Sequence, residues 1–516
     1  MILIYPPVVK PCEPPAGLAR LAGALNAHGI SHRILDANIE GLSALLETDF
    51  SPADTWTRRA FGNRFRHLEA LGQWQIYAHR DRYRRAVSDI NRLLTVKGQS
   101  FGIRLTLTNY EDPNRSAVRS TDLIRASEIF EINPFYDYFS NRLSRLIEED
   151  TPSRIGFSLN FLSQAVTTFA MIGFVKRHFP QIQILLGGGL VTSWMAGPAW
   201  NNPFTGLIDH IISGPGETPL LALLGKTGDR PFYAPDYSAF IEKPYLAPAM
   251  ILPYNTSTGC YWNQCSFCPE KAEKNLYRPV PPAQAVSELS LLTHCLKPAL
   301  VHLTDNAISP AMMKALCADT RQIPWYGFTR ITRHLADPQF CLALKKSGCV
   351  MLKLGVESGS QNVLDEMNKG TDIGMISEVL THLKNAGIAT FVYLLFGTPS
   401  ETLKEARQTL DFTARLSDCV TFLNLAIFNL PVYGPDAGAL NTRDFYQADL
   451  GLYQEFIHPK GWSRDLVRQF LEREFKKHPA VASILRNVPP LFTSNHAPLF
   501  VMSKAASGKR QKISGW

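Results

Sequence analysis

The sequence predicts an α/β chain built as two parallel-sheet modules in tandem. The first is a doubly wound sheet carrying a helical insert; the second is a partial barrel of six β–α units followed by a mixed C-terminal segment. Two observations predict this. Short apolar runs of strand length alternate with helical patterns through both halves, which is how βαβ units read in sequence. Several runs end in glycine or small polar residues, as expected where the strands of such a sheet deliver backbone to a ligand.

In the first half, residues 1–5 are a buried-strand run, followed by a Pro-rich turn and a helical stretch over 17–28 that stops at Gly29. Residues 32–36 read as a second strand and 154–161 as a third, leading into a long helical pattern that ends at His178. The fourth run, 183–186, meets Gly187, Gly188 and Gly189, and the fifth, 208–213, meets Gly214-Pro-Gly-Glu217. Between about 45 and 153 the alternation breaks and the periodicity turns helical, which marks an insert. Residues 231–249 are rich in Pro and Tyr and read as a linker. The second series of strands falls at 250–256, 299–304, 325–329, 351–356, 389–396 and 420–428, with helical patterns between them. Six such units in this span give a barrel open on one side, with its site at the carboxyl-terminal mouth. The expected domains are therefore 1–230, 250–435 and a C-terminal segment 436–516, whose basic end from Ser503 reads as a flexible tail.

The 516 residues are 45% hydrophobic and 19% charged, which excludes a disordered chain, a coiled-coil rod or a collagen-like repeat. No apolar run reaches the ~18 residues of a membrane span. The N-terminus lacks the basic flank and cleavage site of a secretory leader, so a cytoplasmic location is expected. Net charge is +8. Between Thr55 and Arg104, ten Arg and one Lys face only Glu69, Asp81 and Asp89, a surplus equal to that of the whole chain. Interleaved Trp56, Phe61, Phe65, Trp74, Tyr77 and Tyr83 leave two readings open: a nucleic-acid surface, or an Arg-coated helical lid with aromatics packed beneath it.

Nine cysteines are too few for a secreted disulfide scaffold. Six stand singly, mostly in apolar surroundings, and read as buried structural thiols. The other three, Cys260, Cys265 and Cys268, crowd a loop directly after the first barrel strand. Three thiolates can hold three irons of a cubane cluster and leave the fourth open to a small molecule. A closed zinc site would call for a fourth protein ligand, and no further cysteine lies nearby.

This loop, Cys260-Tyr-Trp-Asn-Gln-Cys265-Ser-Phe-Cys268, resembles the signature of the radical S-adenosylmethionine (SAM) enzymes. Their usual spacing is Cys-x3-Cys-x2-Cys with an aromatic residue before the last cysteine; here the first interval is one residue longer and Phe267 keeps the aromatic position. The resemblance extends to the strand ends that follow. It implies polar groups near the methionine amine at Asp305 and Asn306, and a ribose-contacting segment at Glu357 and Ser358. It also implies a Gly-x-Pro-x-Glu-Thr turn beginning at Gly397, with Arg330 and Lys353 as partners of the methionine carboxylate. The implied cofactors are a [4Fe–4S] cluster ligated by the three cysteines, and SAM.

The first half resembles the Rossmann-like (flavodoxin-like) cobalamin-binding domain that precedes the barrel in one subgroup of that family. The matching pieces are Tyr5-Pro-Pro7, Pro14-Pro15-Ala-Gly17, Ser158, the Gly187–Gly189 turn, Gly214 and Glu217. The Asp-x-His-x-x-Gly loop that supplies histidine to cobalt elsewhere is absent: Asp36-Ala-Asn-Ile-Glu-Gly41 holds no histidine. The resemblance implies cobalamin as a further cofactor. The implied activity is reductive cleavage of SAM to a 5′-deoxyadenosyl radical, with methyl transfer to an unactivated carbon or phosphorus centre. Radical rearrangement, ring contraction or oxidation without methyl transfer is the alternative within the family. A non-catalytic RNA- or partner-binding metalloprotein is the alternative outside it. A reductant protein such as flavodoxin or ferredoxin is the expected partner, with no membrane partner. A methylthiotransferase is disfavoured, because the first domain has no second cysteine trio.

Overall fold

The computed structural model describes residues 1–48, 54–197, 200–319, 323–434, 437–443 and 448–513, with side chains described to Lys504. The boundary expected between residues 435 and 436, and the last three residues of the expected tail, lie outside the described residues. The chain divides into two compact units. One comprises Met1–Met250 with Gln447–Leu452, the other Ile251–Tyr446 with Tyr453–Trp516.

The first unit holds five parallel strands: β1 (Ile2–Tyr5), β2 (Arg33–Asp36), β3 (Arg154–Ser158), β4 (Gln183–Gly187) and β5 (His210–Ile212), in the order β2-β1-β3-β4-β5. β1 lies inside the sheet and is buried along its whole length, which is why it reads as an unbroken apolar run. The helix Leu162–His178 is buried from Ser163 to Val175, mostly through apolar side chains, with Ser163, Gln164, Thr167 and Thr168 covered as well. Reversal of strand order between β1 and β3 makes a switch point, where loops diverge and open a crevice beyond the carboxyl ends.

The insert is helical as expected, except for a short hairpin pairing Arg104–Leu105 with Tyr110–Glu111. Helices Thr55–Leu71 and Arg80–Ser100 pack on each other around the buried Tyr77 and Tyr83. Buried Asp89 ties them together, accepting from the Trp56 indole (2.8 Å) and meeting His67 (3.2 Å). Not all the aromatics go beneath. Trp56, Phe65 and Trp74 stay 38–54% exposed, and guanidinium groups cover two of them: Arg64 lies 4.3 Å from the Phe65 centroid and Arg92 5.0 Å from that of Trp56.

The segment expected as a linker is anchored to this unit. Asp236 N–H donates to the Ala19 carbonyl, Leu246 N–H to that of Pro11, and the Tyr245 hydroxyl to buried Asp36. Its Pro content removes periodicity without removing packing, because Tyr237 and Phe240 are buried. Cys295, expected to be buried, is exposed near the end of the helix Pro282–Leu296.

The second unit contains six parallel strands: β6 (Ile251–Tyr254), β7 (Leu300–Leu303), β8 (Trp325–Thr329), β9 (Cys349–Glu357), β10 (Ala389–Phe396) and β11 (Phe422–Ile427). They lie in chain order, each beside the next, so every crossover repeats the same step. Proline at the first helical position starts the helices Pro282–Leu296, Pro310–Ala318 and Pro338–Lys346, where its missing N–H costs nothing. Ile373–Asn385 is capped by Asp372, and Leu403–Arg415 by a reciprocal Thr402–Glu405 box. A small antiparallel sheet of Leu430–Pro431, Tyr453–Phe456 and Thr442–Arg443 follows. The chain then forms a helix, Thr493–Ile513, packed against β9 and β10, which runs through most of the expected tail. Buried His496 is stacked on Phe492 at 4.2 Å. Among the described residues, no helix is long and apolar enough to cross a membrane.

Candidate active site

The second unit places the cysteine loop at the carboxyl end of β6. Buried Asp305, just past β7, fixes its root: one carboxylate oxygen accepts from Thr256 N–H (3.1 Å), the other from the Thr256 and Ser257 hydroxyls (both 2.6 Å). Burial raises the Asp305 pKa despite these donors. Ser257–Thr258 then pairs with Arg278–Pro279, closing the neck of the loop.

Within the loop Cys265 is buried, and Cys260 and Cys268 are partly so. Burial, with the neighbouring Cys265 adding to it, pushes the Cys268 thiol up to about 11. A bare thiolate is therefore disfavoured there, and a bound cation is what would deprotonate it. Three thiols on one braced loop, flanked by fixed cations, suit a polyanionic iron–sulfur cluster. Among the described residues, no three His, Cys, Asp or Glu side chains are drawn together as ligands of a single ion.

The brace comes from a turn that follows the short helix Gln361–Glu366. Three successive carbonyls of that turn are used. Met367 accepts from Ser266 N–H (3.0 Å), Asn368 from the Trp262 indole (3.2 Å), and Lys369 from the Arg330 guanidinium. Gly370, at φ +66°, lies against the indole so closely that a Cβ would collide with the ring. Arg330, directly after β8, also donates to Cys265 Sγ (3.5 Å) and lies 4.2 Å from the Trp262 ring centroid. Lys369 Nζ sits 5.5 Å from the Phe267 ring centroid and pairs with Glu357 at 2.7 Å, both side chains being at least nine-tenths buried. Glu357 ends β9 with φ +65°, an uncommon conformation for a non-glycine residue and one that recurs at functional sites.

The remaining expected residues are placed as follows. Asn306 is exposed and bonds Glu270, in the helical turn after Cys268. The Ser358 hydroxyl is fully buried between Thr409 (3.2 Å) and Ser360 N–H (3.1 Å). Lys353 Nζ meets His302 at 2.9 Å, beside Tyr326; it lies four residues before Glu357, roughly 13 Å along the strand. The structure thus gathers Cys260, Cys265, Phe267, Cys268, Arg330 and Glu357 around one loop and sets Lys353 in a separate layer. Trp262 and Lys369 also belong to this site without a signal in the sequence, where Asn368-Lys-Gly reads as an ordinary helix stop.

Gly397 (φ +78°) donates its N–H to Glu401 Oε2, which also accepts from the Trp462 indole at 3.0 Å. Glu401 has no exposed surface, and its Oε1 has no hydrogen-bond partner among the described residues. Burial pushes this carboxyl from the ordinary 4.5 up to about 7. The stability linked to its proton is present below pH 4.5 and lost as pH rises through about 7. Glu401→Gln, which stays neutral, is expected to match the parent near pH 4.5 and to be more stable above pH 7. At ~1.4 kcal/mol per pKa unit the gap is roughly 3 kcal/mol. Thermal melts across this range test it; a gap independent of pH removes Glu401 as its source.

In the first unit, the expected residues gather at the carboxyl ends of β3, β4 and β5. One side chain, Asn160, spans two of these ends: its amide donates to Ser158 Oγ (3.0 Å) and accepts from Gly189 N–H (2.9 Å). Gln164 bridges the switch point, accepting from Asn160 and Phe161 N–H and donating to the Pro6 carbonyl at 2.7 Å. Gly188, at φ +117°, passes so close to Leu159 that a Cβ would overlap its carbonyl. Gly187 accepts from Leu159 N–H (2.7 Å), Gly214 donates to Thr192 (2.8 Å), and Glu217 is held by Arg20 at 2.7 Å. Phe161 and Leu162 remain 51% and 38% exposed beside this edge. A bare backbone edge next to apolar side chains fits a large ring of mixed polarity, such as a corrin.

Residues 254–413 match the Radical SAM superfamily. The anaerobic magnesium-protoporphyrin IX monomethyl ester cyclase of Rubrivivax gelatinosus is 26% identical over 208 residues, 39% of this chain and 36% of that protein. An uncharacterised methyltransferase of Pyrococcus horikoshii is 24% identical over 168 residues, 31% of this chain and 36% of that protein. The matched stretch thus spans about a third of either relative. Among solved structures, the radical SAM methyltransferase TsrM of Kitasatospora setae superposes with a TM-score of 0.52 at 16% identity, covering 84% of this chain and 74% of that one. The cobalamin-dependent SAM radical enzyme OxsB gives 0.51 at 13% identity, covering 99% and 61%. Residues 254–413 therefore carry a radical SAM domain, and the chain shares its fold with TsrM and OxsB.

Proposed function

We propose that this enzyme cleaves SAM reductively and, with cobalamin, transfers a methyl group to an unactivated carbon or phosphorus centre. The observation that carries the radical chemistry is the braced loop of Cys260, Cys265 and Cys268 at the carboxyl end of β6. A [4Fe–4S] cluster held there would supply the electron for reductive carbon–sulfur cleavage of SAM, and cobalamin, when bound, would supply the methyl carrier.

The chain's own residues bind and orient. The three thiolates would hold the cluster and Arg330 would offset its negative charge, while Lys369, paired with Glu357, would brace the loop. Asp305, committed to Thr256 and Ser257, shapes the loop's root. The strand ends at Glu357 and the Gly397 turn would offer an edge for the ribose and methionine groups of SAM, which Ser358, its hydroxyl committed to Thr409 and Ser360, would support from beneath. The edge formed by Ser158, Gly187–Gly189 and Gly214 would hold cobalamin, and residues 36–41 contain no histidine to offer it. The electron comes from an external reductant such as a flavodoxin or ferredoxin.

Support for methyl transfer comes from the fold shared with TsrM and from the P. horikoshii methyltransferase. The cyclase relative favours a second reading, in which the radical drives oxidation or rearrangement without methyl transfer. The test is protein purified without oxygen, assayed for iron, sulfide and cobalamin, then given reductant and SAM labelled in its methyl group. Release of 5′-deoxyadenosine with label entering an acceptor supports the first reading, and release with no label transferred supports the second. Protein that binds no cluster and cleaves no SAM refutes both.

A further inference from the structure

We propose that Arg330 is a positioning residue that sets the reduction potential of the cluster held by the cysteine loop; this rests on the proposal that Cys260, Cys265 and Cys268 ligate such a cluster. The guanidinium does three things at once. It donates to Cys265 Sγ at 3.5 Å, donates to the Lys369 carbonyl, and lies 4.2 Å from the Trp262 ring centroid. Only a planar fork with several donors can do all three; a lysine ammonium cannot.

The cation is 5% exposed, so water screens it little. Its neighbour Lys369 is paired with Glu357, whereas no carboxylate pairs with Arg330 among the described residues. The charge of Arg330 therefore stands unneutralised beside the Cys265 sulfur, with the Tyr261 phenol as a further neighbour. Reduction adds one electron, and with it one negative charge, to the cluster. A fixed cation and an N–H donor on a ligand sulfur stabilise the reduced form more than the oxidised one and raise the midpoint. The seat is built for this purpose. Arg330 follows the buried strand end Thr329, and Gly370 admits the indole on which the guanidinium rests.

The experiment is an anaerobic redox titration with dithionite, followed by the EPR signal of the reduced cluster, on the parent chain, Arg330→Met and Arg330→Lys without SAM. Arg330→Met is expected to bind iron and sulfide as the parent does, with its midpoint moved to more negative potential. Arg330→Lys, which keeps the charge and loses the fork, is expected to fall between them. Because guanidinium does not titrate, the gap between parent and Arg330→Met should be the same at pH 6.5 and 8.5. If Arg330→Met fails to assemble a cluster, Arg330→Lys carries the test, and a midpoint equal to the parent's overturns the proposal. Full clusters with unmoved midpoints overturn it alone. A parent chain that takes up no iron or sulfide overturns the cysteine-loop proposal and this one together.

Discussion

Cys265→Ala, purified without oxygen, is expected to lose its cluster iron and sulfide and to cleave SAM no faster than a buffer control. The same is expected of Cys260→Ala and Cys268→Ala, because each thiolate would hold one iron and two ligands leave the cluster open to solvent. Cys265 is the most enclosed of the three: it is buried, it receives the Arg330 guanidinium, and the next residue is tied to Met367. Cys295→Ser is the control: that thiol is exposed on a helix of the second unit and should leave iron content unchanged. Iron and sulfide analysis with the absorbance of the cluster decides the matter. A Cys265→Ala chain retaining a full cluster would remove the loop from the chemistry.

Lys369→Met is expected to destabilise the second unit by about 3–5 kcal/mol, the usual cost of stranding one buried charge of an ion pair. Glu357, 7% exposed, would be left without its 2.7 Å partner at a residue already held at φ +65°. The double variant Lys369→Met/Glu357→Gln removes both charges and should recover most of the loss, since a neutral amide tolerates burial better than an unpaired carboxylate. Chemical denaturation of the cluster-free chain separates this from any effect on SAM. Equal losses in the single and double variants would mean that packing, and not the charge pair, holds the turn.

The fold was largely legible because strands buried on both faces of a parallel sheet are written as unbroken apolar runs. Ile2–Tyr5 and Ile251–Tyr254 show this. Legibility failed where burial has no period. The stretch 231–249 reads as a linker, yet Tyr245 and Leu246 are bonded into the first unit. The aromatics of the insert read as a packed underside, yet Trp56, Phe65 and Trp74 remain partly in solvent. The expected carboxylate partner Arg330 is engaged by sulfur, carbonyl and indole, a role that its place after a strand could not announce.

By itself the sequence determined which residues form strands, where three thiols cluster, and which strand ends carry polar turns. Each of these depends on neighbours a few positions away. Tertiary structure alone decided which side chains brace the loop. Arg330 reaches Cys265 across 65 residues and Trp262 reaches Asn368 across 106. In the first unit, Asn160 joins Ser158 to Gly189 only because β3 and β4 lie side by side. Such contacts are set by the order in which parallel strands pair, and that order brings distant strand ends to one edge without leaving a local pattern in the chain.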